Sequence, residues 1–219
     1  MQTVLFDLDG TLIDHFTAIH SSIAYAQNSL GVPVSDYETV RLTVGGSLPV
    51  TLSRLMGEEK VESALPYFHE HFNKVMFDEV SILPGAEWLL AALYEKGFQL
   101  AVFTNKFGHH ARAIVEHLKL DRWLTATVGT QDTPYRKPDP QFTDHILERL
   151  NADPSETCLV GDSPFDFQAA QIRNIPAYLV ATGTHSTAAL TSETSASAIF
   201  ENLFDLGIAR FDLRQPSNI

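Results

Sequence analysis

Cysteine is almost missing from this chain of 219 residues: Cys158 stands alone, so no intrachain disulfide can form. That suits a reducing cytoplasm. Positive charge is scarce as well, with 15 Lys and Arg against 27 Asp and Glu and a formal net charge of −12. A broad surface for a nucleic-acid backbone needs clustered Lys and Arg, so a nucleic-acid partner is excluded. No uninterrupted apolar stretch approaches the ~20 residues that cross a bilayer, and no internal repeat is visible. The first strand-like run starts at Thr3, which leaves no room for a signal peptide. These absences predict a soluble cytoplasmic protein, monomer or homodimer, with no membrane partner. An apolar content of 44% and a charged content of 19% belong to a globular chain. Its length allows one domain, or a domain with a smaller insert.

What is present centres on Val4-Leu5-Phe6-Asp7-Leu8-Asp9-Gly10-Thr11. A run of strand formers ends in two carboxylates spaced i, i+2, and a Gly then releases the backbone into a turn. Ligands of open α/β sheets sit outside the carboxyl ends of the strands, and this pair would sit there. Two carboxylates so close repel unless a cation, or a raised pKa on one of them, relieves the repulsion. A strand followed by an ordinary Asp-Gly turn is the plain alternative.

Beyond Thr11 the period changes. Phe16, Ile19, Ile23, Ala26 and Leu30 recur at helical spacing up to Gly31. Short helices are predicted over Tyr37–Leu42 and Val50–Met56. A further one covers Glu58–Val80, broken or restarted at Pro66. From Ala86 onward strands alternate with helices: the runs Phe98–Phe103, Ala126–Val128, Thr157–Val160 and Ala177–Val180 are strands with helices between them. Such alternation implies βαβ units and a parallel sheet covered on both faces. The helix-only stretch therefore reads as an insert, 15–81, in a core made of 1–14 and 82–219. The Ser/Thr/Ala-rich stretch after Thr182 reads as a loop and one helix, with Ile199–Leu206 docking at the sheet edge. Trp88 and Trp123 read as packing residues, and His109-His110 as a helix start.

Three later segments also end or follow apolar runs in chemically useful residues: Phe103-Thr104-Asn105, Arg136-Lys137-Pro138-Asp139-Pro140 and Gly161-Asp162-Ser163-Pro164-Phe165-Asp166. Taken singly, Thr104-Asn105 reads better as a helix-capping pair and Lys137 as a solvated loop charge. Together with Asp7-Leu8-Asp9-Gly10-Thr11, and in this order, the set resembles the four motifs of the haloacid dehalogenase-like superfamily from about residue 3 to about residue 182. The resemblance implies an α/β fold, a Rossmann-like parallel sheet sandwiched by helices, with an inserted α-helical cap domain.

It also implies a Mg²⁺-dependent phosphatase acting on a small phosphorylated metabolite, similar to phosphoglycolate phosphatases. In that reading Asp7 attacks phosphorus, Asp9 is general acid and base, and Thr104 and Asn105 hydrogen-bond the phosphoryl oxygens. Lys137 neutralises charge and ties down Asp7. Mg²⁺ is held by Asp7 and Asp162, the backbone carbonyl of Asp9, and Asp166 directly or through water. The negative net charge is no obstacle, because a bound cation and one Lys reverse the local potential.

The insert matches a cap that closes over the site, with Gly45 and Gly46 of the loop Val44–Ser47 as candidates to face the substrate. A simple helix-helix turn is the alternative there. Arg41 is the nearest cation for a second anionic group, and Arg54 is the other Arg of the cap. His15 is a candidate to touch the leaving group or a packed residue. His69 and His71 diverge on a helix and are not read as a metal site. Two further functions stay open: a phosphomutase resembling β-phosphoglucomutase, and a non-catalytic binding protein on the same fold.

Overall fold

Burial on both faces organises the chain around its first strand. A computed structural model describes residues 2–214. Strand β1 (Thr3–Phe6) carries the fully buried run Val4-Leu5-Phe6. A two-residue strand β2 (Ile13–Asp14) leads into helices α1 (Phe16–Ser29), α2 (Tyr37–Thr43) and α3 (Leu48–Met56). A 3₁₀ turn, Glu58–Lys60, precedes α4 (Val61–Val75), and β3 (Ser81–Ile82) pairs back antiparallel on β2. Then come α5 (Ala86–Glu95), β4 (Gln99–Phe107), α6 (Gly108–His117), β5 (Ala126–Thr130) and α7 (Pro140–Leu150). The chain continues through β6 (Thr157–Gly161), α8 (Pro164–Gln171), β7 (Ala177–Val180), α9 (Thr187–Glu193), β8 (Ala198–Phe200) and α10 (Leu203–Phe211).

The main sheet is parallel, in the order β5-β4-β1-β6-β7-β8. Side chains alternate across a strand, and the two faces of β1 feed two cores. Val4 and Phe6 join Leu100, Val102 and Val160 beneath α5, α6 and α10. Leu5 joins Ala101, Phe103 and Leu159 beneath α7 and α8. Burying each large side chain contributes about 2 kcal/mol. The first core runs on without a gap into α1, α3 and α4 through Leu8, Leu12, Ile19, Leu52, Phe68 and Phe72. The four helices thus pack against the carboxyl end of the sheet.

Three expectations change. Pro66 does not break its helix: after the 3₁₀ turn Glu58–Lys60, α4 runs through it from Val61 to Val75, stopping short of Val80. The carbonyl that Pro66 leaves without a donor is that of Glu62, one turn back. Both residues are exposed, which lowers the cost of that lost bond. Second, β4 extends past Phe103 to Phe107, taking in Thr104, Asn105 and Lys106. Third, the edge segment Ile199–Leu206 divides into a sixth parallel strand, β8, and the helix α10.

Candidate active site

Sheet order reverses around β1: the chain fills one side with β4 and β5, then crosses to β6, β7 and β8. That is where ligands bind in open α/β sheets. The amide of Asp7 still donates to Val160 at 2.9 Å, and the chain then coils so tightly that Leu8 O accepts from Thr11, Leu12 and Ile13. The coil turns the two carboxylates apart. Asp7 faces β6 and Lys137; Asp9 faces β4 and the start of α1.

Lys137, on the loop between β5 and α7, is 1% exposed. Its Nζ donates to Asp7 Oδ1 at 2.9 Å and to Asp166 Oδ1 at 2.6 Å. The other oxygen of Asp166 accepts from the backbone amide of Ser163 at 3.1 Å and from its Oγ at 2.6 Å. This is a capping box that starts α8. One carboxylate therefore both caps a helix and aims an ammonium. Asp162 is held from the far side: Thr184 donates to its Oδ2 from the amide at 2.8 Å and from Oγ1 at 3.0 Å. Gly10 and Gly183 make room for it, since a Cβ at Gly183 would lie 2.0 Å from Asp162 Oδ2. Gly10 also adopts φ 83, the left-handed region that favours glycine.

Oxygens of Asp7, Asp162 and Asp166 lie within 4.8 Å of one another. Burial pushes Asp7 up to about 6, against the pull of Lys137 and with a push from Asp166. Burial, with Asp166 and Asp7 adding to it, pushes Asp162 up to about 8. Lys137 is held above its ordinary value despite burial, by Asp166 and then Asp7. Three buried carboxylates thus share one ammonium, Lys137. An all-oxygen set with excess negative charge is what a hard divalent cation such as Mg²⁺ takes, so the residues fit the metal that the resemblance implied.

Asp9 has a different environment. Lys106 Nζ lies 2.9 and 3.1 Å from its two oxygens, and His15 Nδ1 is 3.7 Å away, beyond hydrogen-bonding distance. Burial would raise Asp9, yet Lys106 and His15 hold it well below the usual carboxylate range. Burial, and then Lys106, keep His15 below its ordinary value. Thr104 and Asn105 stand next to Lys106, where the pairing of β4 with β5 slips between Phe103 and Phe107. Such a slip re-aims side chains.

Asn105 is engaged differently from the expectation. Its Nδ2 faces the carbonyls of Gly45 at 3.0 Å, Lys137 at 3.0 Å and Gly46, while its Oδ1 accepts from the Lys137 amide at 2.7 Å. An amide nitrogen has only two hydrogens, so in this arrangement none is left for a phosphoryl group. Asn105 clasps the insert's glycine loop to the lysine loop. Arg41 is likewise engaged with the protein. It donates to Gly183 O and to Glu38 Oε2 at 3.3 Å, and it does not line the cavity between helices and sheet. Gly45 lines that cavity and Gly46 does not.

Sequence reasoning passed over Lys106, which directly follows the quoted Thr104-Asn105, and the loop Thr182-Gly183-Thr184. The latter follows β7 at the same carboxyl rim as the other site loops, the one signal that marks it.

The family model for haloacid dehalogenase-like hydrolases matches residues 4–180. The chain belongs to this family. A phosphoglycolate phosphatase encoded on a plasmid of Cupriavidus necator is 32% identical over 82% of this chain and 80% of its own length. A Dickeya dadantii protein named "Probable phosphatase IndB" is 30% identical over 84% of this chain and 83% of its own. Among solved structures, a "predicted phosphatase" from Clostridium acetobutylicum superposes with a TM-score of 0.89 at 29% identity, over 97% of this chain and 99% of that one. The haloacid dehalogenase-like motifs fall at the rim described above, on β1, β4, the loop before α7, and the junction of β6 with α8. No helix among the described residues is long and apolar enough to cross a membrane.

Proposed function

We propose that this hydrolase is a Mg²⁺-dependent phosphatase of a small phosphorylated metabolite, working through an aspartyl-phosphate. The observation that carries the reading is Lys137 Nζ bridging Asp7 and Asp166, with Asp162 completing the carboxylate cluster. Asp7 attacks phosphorus, forming the Asp7–phosphorus bond as the ester oxygen leaves. Lys137 orients Asp7 and offsets charge on the phosphoryl group. Asp9 serves as general acid and base: held ionised by Lys106 in the free site, it takes a proton from solvent as substrate binds, gives it to the departing alkoxide and regains one from the water that hydrolyses the intermediate. Lys106 sets the acidity of that proton, and Thr104 Oγ1 is the hydroxyl donor nearest at hand on β4.

Asp7, Asp162 and the Asp9 carbonyl would hold Mg²⁺, with Asp166 placed behind them by Ser163 and Lys137. When bound, the ion supplies a Lewis acid that screens Asp7 from an anionic substrate. Residues 15–81 serve as the cap that keeps bulk water from the intermediate. Arg41 and Arg54, the cap cations a sugar-phosphate mutase would use, face Gly183 O and the Phe165 ring. Hydrolysis is therefore the better reading.

Assay with p-nitrophenyl phosphate tests the proposal: turnover requires Mg²⁺ and falls at least ~10³-fold in Asp7→Asn. Full turnover by that variant would sink it. Mg²⁺ alone should raise the melting temperature through binding linkage, an effect that Asp162→Asn abolishes.

A further inference from the structure

The cavity over Asp7 and Asp9 has two unlike ends. The carboxylates, Thr104 and Lys106 form its floor. Its walls toward the helices are Ile19, Val44, Leu48, Phe68, Phe72 and Phe107. A substrate with phosphorus at Asp7 must send its leaving group toward those walls. Among the described residues no cation lining the cavity is free to meet that group. Lys106 is 8% exposed, occupied by Asp9, and its Nζ sits 5.0 Å from the centre of the Phe72 ring. Lys137 is shared by two carboxylates, and Arg41 points to Gly183. His110 lines the cavity, but burial and then His109 and Lys106 hold it down at about 3, so it is a neutral ring at physiological pH. A carboxylate or second phosphate would enter an apolar wall without a partner, an expensive way to bury a charge.

Ser47 adds a positive requirement. It lines the same space, is 7% exposed, and its buried hydroxyl has no hydrogen-bond partner among the described residues. A buried hydroxyl left in this state asks for a ligand partner. The space is also limited. A cavity of ≈ 70 Å³, at about 10–15 Å³ for each water, takes about five to seven waters, hence a phosphoryl group and a few further heavy atoms.

We infer that the substrate is a phosphate ester of a compact, uncharged alcohol, with an apolar body against the Leu48–Phe68–Phe72 wall and one hydroxyl or carbonyl meeting Ser47 Oγ. This rests on the phosphatase reading above. It separates the chain from relatives such as the Cupriavidus necator protein, whose named substrate carries a carboxylate.

The experiment compares kcat/KM, with Mg²⁺, for isobutyl phosphate, 3-hydroxy-2-methylpropyl phosphate, phosphoglycolate and pyrophosphate, with p-nitrophenyl phosphate as control. The uncharged esters should exceed both anionic substrates at least tenfold. Ser47→Ala should narrow the preference for the hydroxy ester over isobutyl phosphate about fivefold. Leu48→Arg, or Thr51→Arg should the first fold poorly, should shift the ratio of phosphoglycolate to isobutyl phosphate upward at least tenfold. Equal or better turnover of phosphoglycolate or pyrophosphate by the unaltered protein overturns this inference and leaves the phosphatase reading standing. An unchanged ester preference in Ser47→Ala overturns the Ser47 contact. Absence of Mg²⁺-dependent turnover of every ester, control included, overturns both readings.

Discussion

Lys106 grips Asp9 through both carboxylate oxygens, at 2.9 and 3.1 Å, with the side chains 8% and 11% exposed. Removing one member of a buried pair strands the other charge and costs about 3–5 kcal/mol. Lys106→Met should therefore destabilise strongly in urea denaturation. The double variant Asp9→Asn with Lys106→Met should lose clearly less than the sum of the single changes. Simple additivity would mean that the two residues do not act as a pair.

Asn105 makes a second testable junction. Asn105→Ala leaves the Lys137 amide and the carbonyls of Gly45 and Gly46 without their partner, at about 1–3 kcal/mol. Hydrogen exchange should show the Lys137 amide losing protection at least tenfold. KM should rise as well, since the loop that closes the cavity is released. Unchanged exchange at Lys137 would contradict the clasp.

Gly183→Ala should disturb the acidic cluster from outside the recognised motifs. The new methyl would collide with Asp162 Oδ2 at 2.0 Å and with Gly10 Cα at 2.8 Å. Overpacking of this kind costs about 1–3 kcal/mol. Because the collision strikes a carboxylate proposed to hold Mg²⁺, calorimetry should find Mg²⁺ binding weakened at least tenfold. Wild-type affinity in a folded variant would remove Gly183 from the site.

Stability should also depend on His110. In the fold it stays neutral down to about 3, from an ordinary value of 6.5, because it is buried beside His109, Lys106, His69 and His15. Between those values the unfolded chain binds a proton that the fold does not, so stability falls as pH drops from 6.5 toward 3. The slope approaches about 1.4 kcal/mol per pH unit. Asp7 and Asp162, raised in the fold, work in the opposite direction. The measurement is thus the difference between wild type and His110→Gln in urea at pH 7.5 and 5.0: the variant should lose less on acidification. Parallel losses would refute the assignment.

The residues readable in advance were those whose role is written in neighbouring letters. Val4-Leu5-Phe6 is apolar without alternation because both its faces are buried, and Asp7, Asp9 and Asp162 follow strands whose ends converge on one rim. The β2–β3 pair escaped notice because two residues on each side carry no period. Lys106 was hidden for a different reason. An ammonium on β4 looks like any strand-end charge until Asp9, 97 positions earlier, is seen within reach. Thr184 and Asp162 meet in the same way, across a stretch whose composition is merely polar. Arg41 and Asn105 were noticed, but their distant partners are backbone groups of Gly183, Gly45, Gly46 and Lys137, which leave no mark on a sequence.

That small pair, β2 with β3, ties the two ends of the helical segment together. Ile13 lies against Ile82 and Asp14 against Ser81, with Leu83 donating to Leu12 O at 3.0 Å. Both ends of the helical segment therefore leave the sheet through a single two-ply tether. Gly45 and Asp9 line one cavity, and their partners Asn105 and Lys106 are consecutive on β4. With both its ends joined at Ile13–Ile82, the helical segment therefore meets β4 again at the Gly45–Asn105 contact, directly beside the Asp9–Lys106 pair.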